Sequence, residues 1–377
     1  MKKMIPWMTA AGLICLFASA IISDARGRSK GDGSISWERC LRQKTDFYAG
    51  EEAVRIADNV LLYQRNTGGW QKNTDMARVL SDKDKAALRK AKQKEDSTLD
   101  NGATHTQMRY LARVYYATGL ERFKRAFIKA VDYLLEAQYD NGGWPQFYPL
   151  RSNASYSNHI TFNDGAMIGA MSVLRDIASK KPPYTFVDED SRRRAQKAVQ
   201  KGIECILKCQ IIIDGSRTAW CQQHDEKTLE PCPARIYEKV TICSGESVGI
   251  VRFLMDIDKP SPEVIRAVQG AVAWFDRVKL TGIRQTIKRD QSLERGYDRV
   301  IVEDPAAPPI WARFYQLGTN RPIFCGRDGV IKYSLAEIEH ERRTGYSWYG
   351  NAPASLLSRD YPTWQKKWAP KKDVLKK

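Results

Sequence analysis

A chain of 377 residues is long enough for one large domain or two modest ones, and 42% hydrophobic residues with 17 Tyr and 10 Trp exclude disorder of the whole. The formal net charge of +17 would attract a polyanion by long-range steering. Nucleic acid, an acidic polysaccharide and an acidic membrane surface all meet that condition, so charge alone does not choose.

The N-terminus reads as an export signal over residues 1–25. Lys2 and Lys3 supply positive charge, Ile5 to Ile22 is apolar, and Ser23-Asp24-Ala25 offers a cleavage site. Pro6 and the short apolar run argue against a permanent span, although an uncleaved anchor stays open. The expected location is secreted or periplasmic. Removing Cys15 with the signal leaves seven cysteines, an odd number that excludes complete internal pairing. Cys205 and Cys209 share a helix face without a zinc spacing. Cys221, Cys232 and Cys243 lie where a disulfide is feasible, with connectivity open.

Residues 26–45, rich in Gly, Ser and Arg, read as a flexible leader. One catalytic domain is expected over 46–360 and a basic tail over 361–377. Within the domain the pattern is mostly helical. Met108, Leu111, Ala112 and Tyr115 form one apolar stripe, and Phe127, Val131, Leu134, Leu135 and Gln138 form the next. Similar faces recur at 51–65, 164–178, 191–209, 245–256 and 262–279, which suggests stacked helical hairpins. Thr67-Gly68-Gly69-Trp70 echoes Asn141-Gly142-Gly143-Trp144, each copy following an amphipathic helix. The two tryptophans either line a groove or pack over helix ends. Strands are expected to be few, with short hairpin pieces at 299–303 and 330–333 the best of them, and 181–190 reads as a loop. No dinucleotide or P-loop glycine pattern occurs.

Four polar segments carry groups that cores avoid. In Thr98-Leu99-Asp100-Asn101-Gly102, the Asp and Asn either cap the following helix or hold a hard cation such as calcium. Asn163-Asp164-Gly165 repeats that chemistry before another helix, so the two carboxylates could share one ion. Further on, His224 and Asp225 invite either an acid/base or a structural reading, and no nucleophile elbow accompanies them. Arg235, among aromatic and acidic neighbours, suits an oriented guanidinium facing an anion. Finally Arg321, next to Pro322, either holds a carboxylate through two parallel hydrogen bonds or pairs with Asp328.

These segments, in this order, resemble the family-ten polysaccharide lyases, which are pectate lyases. The words are TLDNGATHTQ (98–107), NGGWPQFYPL (141–150), ITFNDGAM (160–167), WCQQHDEKTLEPCPARIYE (220–238), SGESVGIVRFLM (244–255) and GTNRPIFCGRDG (318–329). The resemblance covers about 45–350, with 239–243 and the basic tail as departures. It implies an (α/α)3 toroid of helical hairpins with a groove across one face, and calcium-assisted β-elimination of polygalacturonate. It also implies Arg235 as the catalytic base and Asp100 and Asp164 as calcium carboxylates. By the same resemblance Asn101 is a neighbouring contact and Arg321 binds substrate carboxylate, and Trp144, His224 and Asp225 are further candidate substrate contacts. The expected partner is the acidic polysaccharide rather than nucleic acid or membrane, and the expected state is a monomer. Arginine is protonated below about pH 12, so a base at Arg235 requires a small neutral fraction or a hydroxide held beside it. The rival readings are a helical-toroid glycoside hydrolase, which would use two carboxylates, a non-catalytic pectin-binding protein, and a nucleic-acid-binding protein.

Overall fold

The computed structural model describes residues 35–152 and 155–376, so the export signal and the first residues of the leader lie outside it. The fold is mostly helical, as the periodicity predicts. Helices run over Trp37–Cys40 (α1), Glu51–Tyr63 (α2), Asp82–Ala91 (α3), His105–Thr118 (α4), Glu121–Glu136 (α5), Ala166–Ala178 (α6), Glu189–Cys209 (α7), Ser244–Met255 (α8) and Pro262–Val278 (α9). Local chemistry starts several of them. Asp188 caps α7 by accepting from the Ser191 amide, and Ser261 caps α9 with Pro262 at its first position. The polar helix α3 buries none of its residues and carries no apolar stripe; a Ser81–Asp84 capping box starts it.

Helices α4 and α5, α6 and α7, and α8 and α9 pack as pairs. Helices α2, α5, α7 and α9 also touch in series, as do α4, α6 and α8, giving two helical layers. A repeated joint ties the first layer. Gln64, Gln138 and Gln210, each just beyond a helix end, donate to the loop carbonyls of Gly68, Gly142 and Thr218. The same side-chain amides donate to Ala126, Ala198 and Ala267, one on each next helix of the series. Trp70, Trp144, Trp220 and Trp311 each donate from Nε1 to a carbonyl in the last turn of the helix before them, at Val60, Leu134, Ile206 and Phe275. All four rings are buried to 1% exposure or less, so Trp70 and Trp144 pack over helix ends and do not line a groove.

The strands are short, except for a hairpin pairing Ile283–Arg289 with Tyr297–Glu303. Its second strand contains the expected 299–303; the first was hidden by its polar alternation. Part of the expected leader is built into the fold: Cys40 is buried, and the Trp37 ring lies 5.3 Å from that of Tyr110. The basic tail likewise begins as the helix Tyr361–Trp368, whose Tyr361 and Trp364 are buried. In both places a few aromatic anchors outweigh a polar, charged composition. No disulfide joins the described cysteines; Cys205 and Cys209 lie 3.9 Å apart, sulfur to sulfur.

Candidate functional site

The loops that enter α4, α6 and α8 are tied to the tryptophan loops in one pattern. The amides of Thr98, Thr161 and Cys243 donate to the backbone carbonyls of Trp70, Trp144 and Trp220. Two or three residues further on, each segment presents an acid: Asp100 and Asp164 from the loop itself, and Glu246 from the first turn of α8. The first two loops share a conformation with their residues exchanged. Asn101 has φ 50° and ψ 36°, Asp164 has φ 51° and ψ 23°, and a glycine with positive φ follows each. Asn and Asp tolerate this left-handed geometry better than most side chains.

These loops floor a cleft of about 370 Å³ lined by Lys72, Asp100, Asn101, Asn163, Asp164, Arg235, Glu238, Arg299, Arg313, Arg327 and Arg342, with Tyr156, Tyr237 and Tyr346 on its walls. Asp100 is 2% exposed; one carboxylate oxygen meets the Lys72 ammonium and the other is buried without a partner. Burial, and next the charge of Asp100, push the Asp164 carboxyl up to about 7. Asn163 donates to Asp164 at 2.9 Å and accepts from Gln222 at 2.7 Å and Arg313 at 3.1 Å. Arg313 donates to Glu246 at 2.6 Å and lies 4.6 Å from the Tyr346 ring centroid. Burial alone would lower its pKa, but the Glu246 carboxylate and its other neighbours reverse that and hold it charged.

Arg235 faces this floor from the loop after Cys232-Pro233-Ala234. Glu238 grips it in parallel, with Nε to Oε2 at 2.7 Å and an Nη to Oε1 at 2.5 Å. Burial again pulls the guanidinium pKa down, and the bonds to Glu238 outweigh it, so the net shift is upward. Tyr346 donates its hydroxyl to Glu238 at 2.7 Å, fixing the carboxylate that fixes the arginine. Arg327 and Arg342 are held by Glu341, and Arg299 donates to the Tyr346 carbonyl at 3.0 Å.

The structure therefore brings together Asp100, Asn101, Asp164 and Arg235, and leaves four other sequence candidates out. Trp144 is buried over α5. His224 is fully buried, linked through Nδ1 to the Leu229 carbonyl and through Nε2 to the Cys221 amide. Asp225 accepts from the Lys227 and Thr228 amides, which makes it a turn-former. The pairing of Ile160 with His224 sets Asp225 near His159 and Glu226, three side chains that could together hold a metal ion apart from the cleft. Arg321 is exposed, stacked 3.5 Å from the Tyr333 ring centroid, and does not line the cleft. Asp328 pairs with Lys332 instead of Arg321. The arginine that reaches the cleft from this segment is Arg327, six residues on, within the same GTNRPIFCGRDG word. Lys72 stood beside the first Gly-Gly-Trp. Arg313, which follows Trp311-Ala312, carried no sequence signal.

The family described as pectic acid lyase matches residues 64–357. A family 10 polysaccharide lyase from Cellvibrio cellulosa is 37% identical, aligning 86% of this chain with 94% of that one at a TM-score of 0.71. An aspartate-to-alanine mutant of a family 10 polysaccharide lyase from the same organism, in complex with trigalacturonic acid, is 37% identical, covers 86% of this chain and 96% of its own, and has a TM-score of 0.73. No curated protein sequence matched. The matched span carries every side chain named above as lining the cleft, from Lys72 to Tyr346, and the chain belongs to the pectic acid lyase family of polysaccharide lyases.

Proposed function

We propose that the chain cleaves (1→4)-α-D-galacturonan by calcium-assisted β-elimination, leaving a 4,5-unsaturated sugar on one product. The observation that carries this is the convergence of six cationic side chains with the Asp100–Asp164 carboxylates in one cleft. A galacturonate C5–H is weakly acidic, because its electrons must move into a group that is already anionic. Cations gathered at that carboxylate stabilise the developing enolate. Asp100, Asn101 and Asp164 fit a hard cation. They offer oxygen donors, and the buried oxygen of Asp100 lacks a partner. Calcium held there with the substrate carboxylate would supply the Lewis acidity.

Arg313 and Arg327 are suited to grip substrate carboxylates, and Arg235 to hold the base that takes the C5 proton as the C4–O bond breaks and the departing oxygen takes a proton from water. Because Glu238 favours the charged guanidinium, proton removal runs through hydroxide held at Arg235 rather than through a standing neutral fraction. The two helical layers support reading the fold as a toroid of hairpins. The lysines and apolar run at the N-terminus support export to the periplasm or the exterior.

Incubating the protein with polygalacturonate and following ultraviolet absorbance tests the reading. Conjugated product should accumulate with calcium and stop on adding chelator. Saturated oligosaccharides would refute elimination, and chelator-resistant turnover would refute the metal.

A further inference from the structure

Lys72 is placed with a care that a free surface lysine does not need. The Trp70 amide donates to Thr104 Oγ1 at 3.2 Å and the Trp70 carbonyl accepts from the Thr98 amide at 2.9 Å, so the strand of chain leading to Lys72 is pinned to the loop carrying Asp100. From that base the ammonium reaches Asp100 Oδ2, with the Phe147 ring centroid 5.7 Å away. The Asp100 side chain is 3% exposed while that of Lys72 is 34% exposed. The carboxylate is therefore fixed, and the cation on it has open space to leave into. A divalent ion on Asp100 and the ammonium on Asp100 compete for one negative charge.

We propose that Lys72 is a positioning residue that acts as an internal rival for the metal. Its ammonium weakens divalent-ion binding to Asp100 until a polyuronate arrives. The polymer then contributes carboxylates that both share the metal and receive the displaced ammonium. Metal capture and substrate capture become coupled, and the cleft is kept from holding an idle ion. The coupling rests on the pectate-lyase reading; the competition at Asp100 does not.

The test is calorimetric titration of calcium into the whole protein without saccharide, and again with a saturated, uncleavable trigalacturonate analogue. Lys72→Met, which keeps the length and removes the charge, should bind calcium ~tenfold more tightly than wild type without saccharide, the scale of one partly exposed charge pair. Lys72→Arg should behave as wild type. The analogue should raise calcium affinity more in wild type than in Lys72→Met. A purely structural role for Lys72 predicts the opposite, a weakened calcium site, and circular dichroism checks that each variant is folded. Unchanged or weaker calcium binding by folded Lys72→Met overturns the role of Lys72 alone. If no variant binds calcium with or without analogue, and unsaturated product still forms, the metal reading falls with it.

Discussion

Arg235 sits where its charge is reinforced, so the base it serves must be a group held beside it. Two parallel bonds to Glu238 aim the guanidinium, and Tyr346 holds Glu238 in turn. Arg235→Ala should abolish product formation, while affinity electrophoresis in pectate gels shows nearly unchanged binding, since the other cleft cations remain. Arg235→Lys should fail as well, because a point ammonium cannot meet Glu238 through two bonds. Wild-type activity should climb towards alkaline pH, as hydroxide becomes available while the arginine stays charged. A rate that peaks in acid would contradict the role. The neighbouring arginines separate by position. Arg327→Ala should raise KM for polygalacturonate about tenfold or more, the cost of a charge-assisted bond. Arg321→Ala, stacked on Tyr333 outside the cleft, should leave KM within about twofold.

At the scale of elements, the fold repeats one device. A helix ends and a tryptophan closes back over the helix it has just left, four times in all. In the first three copies a glutamine bridges to the next helix of the layer. The amino-acid sequence displays this at two Gly-Gly-Trp copies. The copies at Trp220 and Trp311 lack the glycines and emerge only from their Nε1 bonds. Trp144→Phe should lower stability by about 1–3 kcal/mol, because the Leu134 carbonyl stays buried without its donor; urea unfolding measures this. Gly142→Ala should cost more and abolish soluble expression. Gly142 has φ +94°, and an added Cβ would stand 2.1 Å from the Lys201 carbonyl oxygen.

For the whole molecule, one apolar core runs from Cys40 to Ala369, so both ends of the described chain belong to it. Ending the chain at residue 360 removes Tyr361 and Trp364, buried aromatics that cost about 3–5 kcal/mol each when lost from a core. That truncation should lower the melting temperature sharply, whereas neutralising the terminal lysines should not.

The sequence by itself determined the helical class, the carriers of Asp100, Asp164 and Arg235, and the Gly-Gly-Trp echo. Each is a local matter: periodicity, turn chemistry, or a run of adjacent residues. Which side chains share the cleft was decided by tertiary structure. Arg327 rather than Arg321 reaches it, Arg313 arrives from far along the chain, and His224 and Trp144 turn inward. Direction of that kind depends on strand pairing and on how one helical layer stacks against the other, and those contacts join residues far apart in sequence.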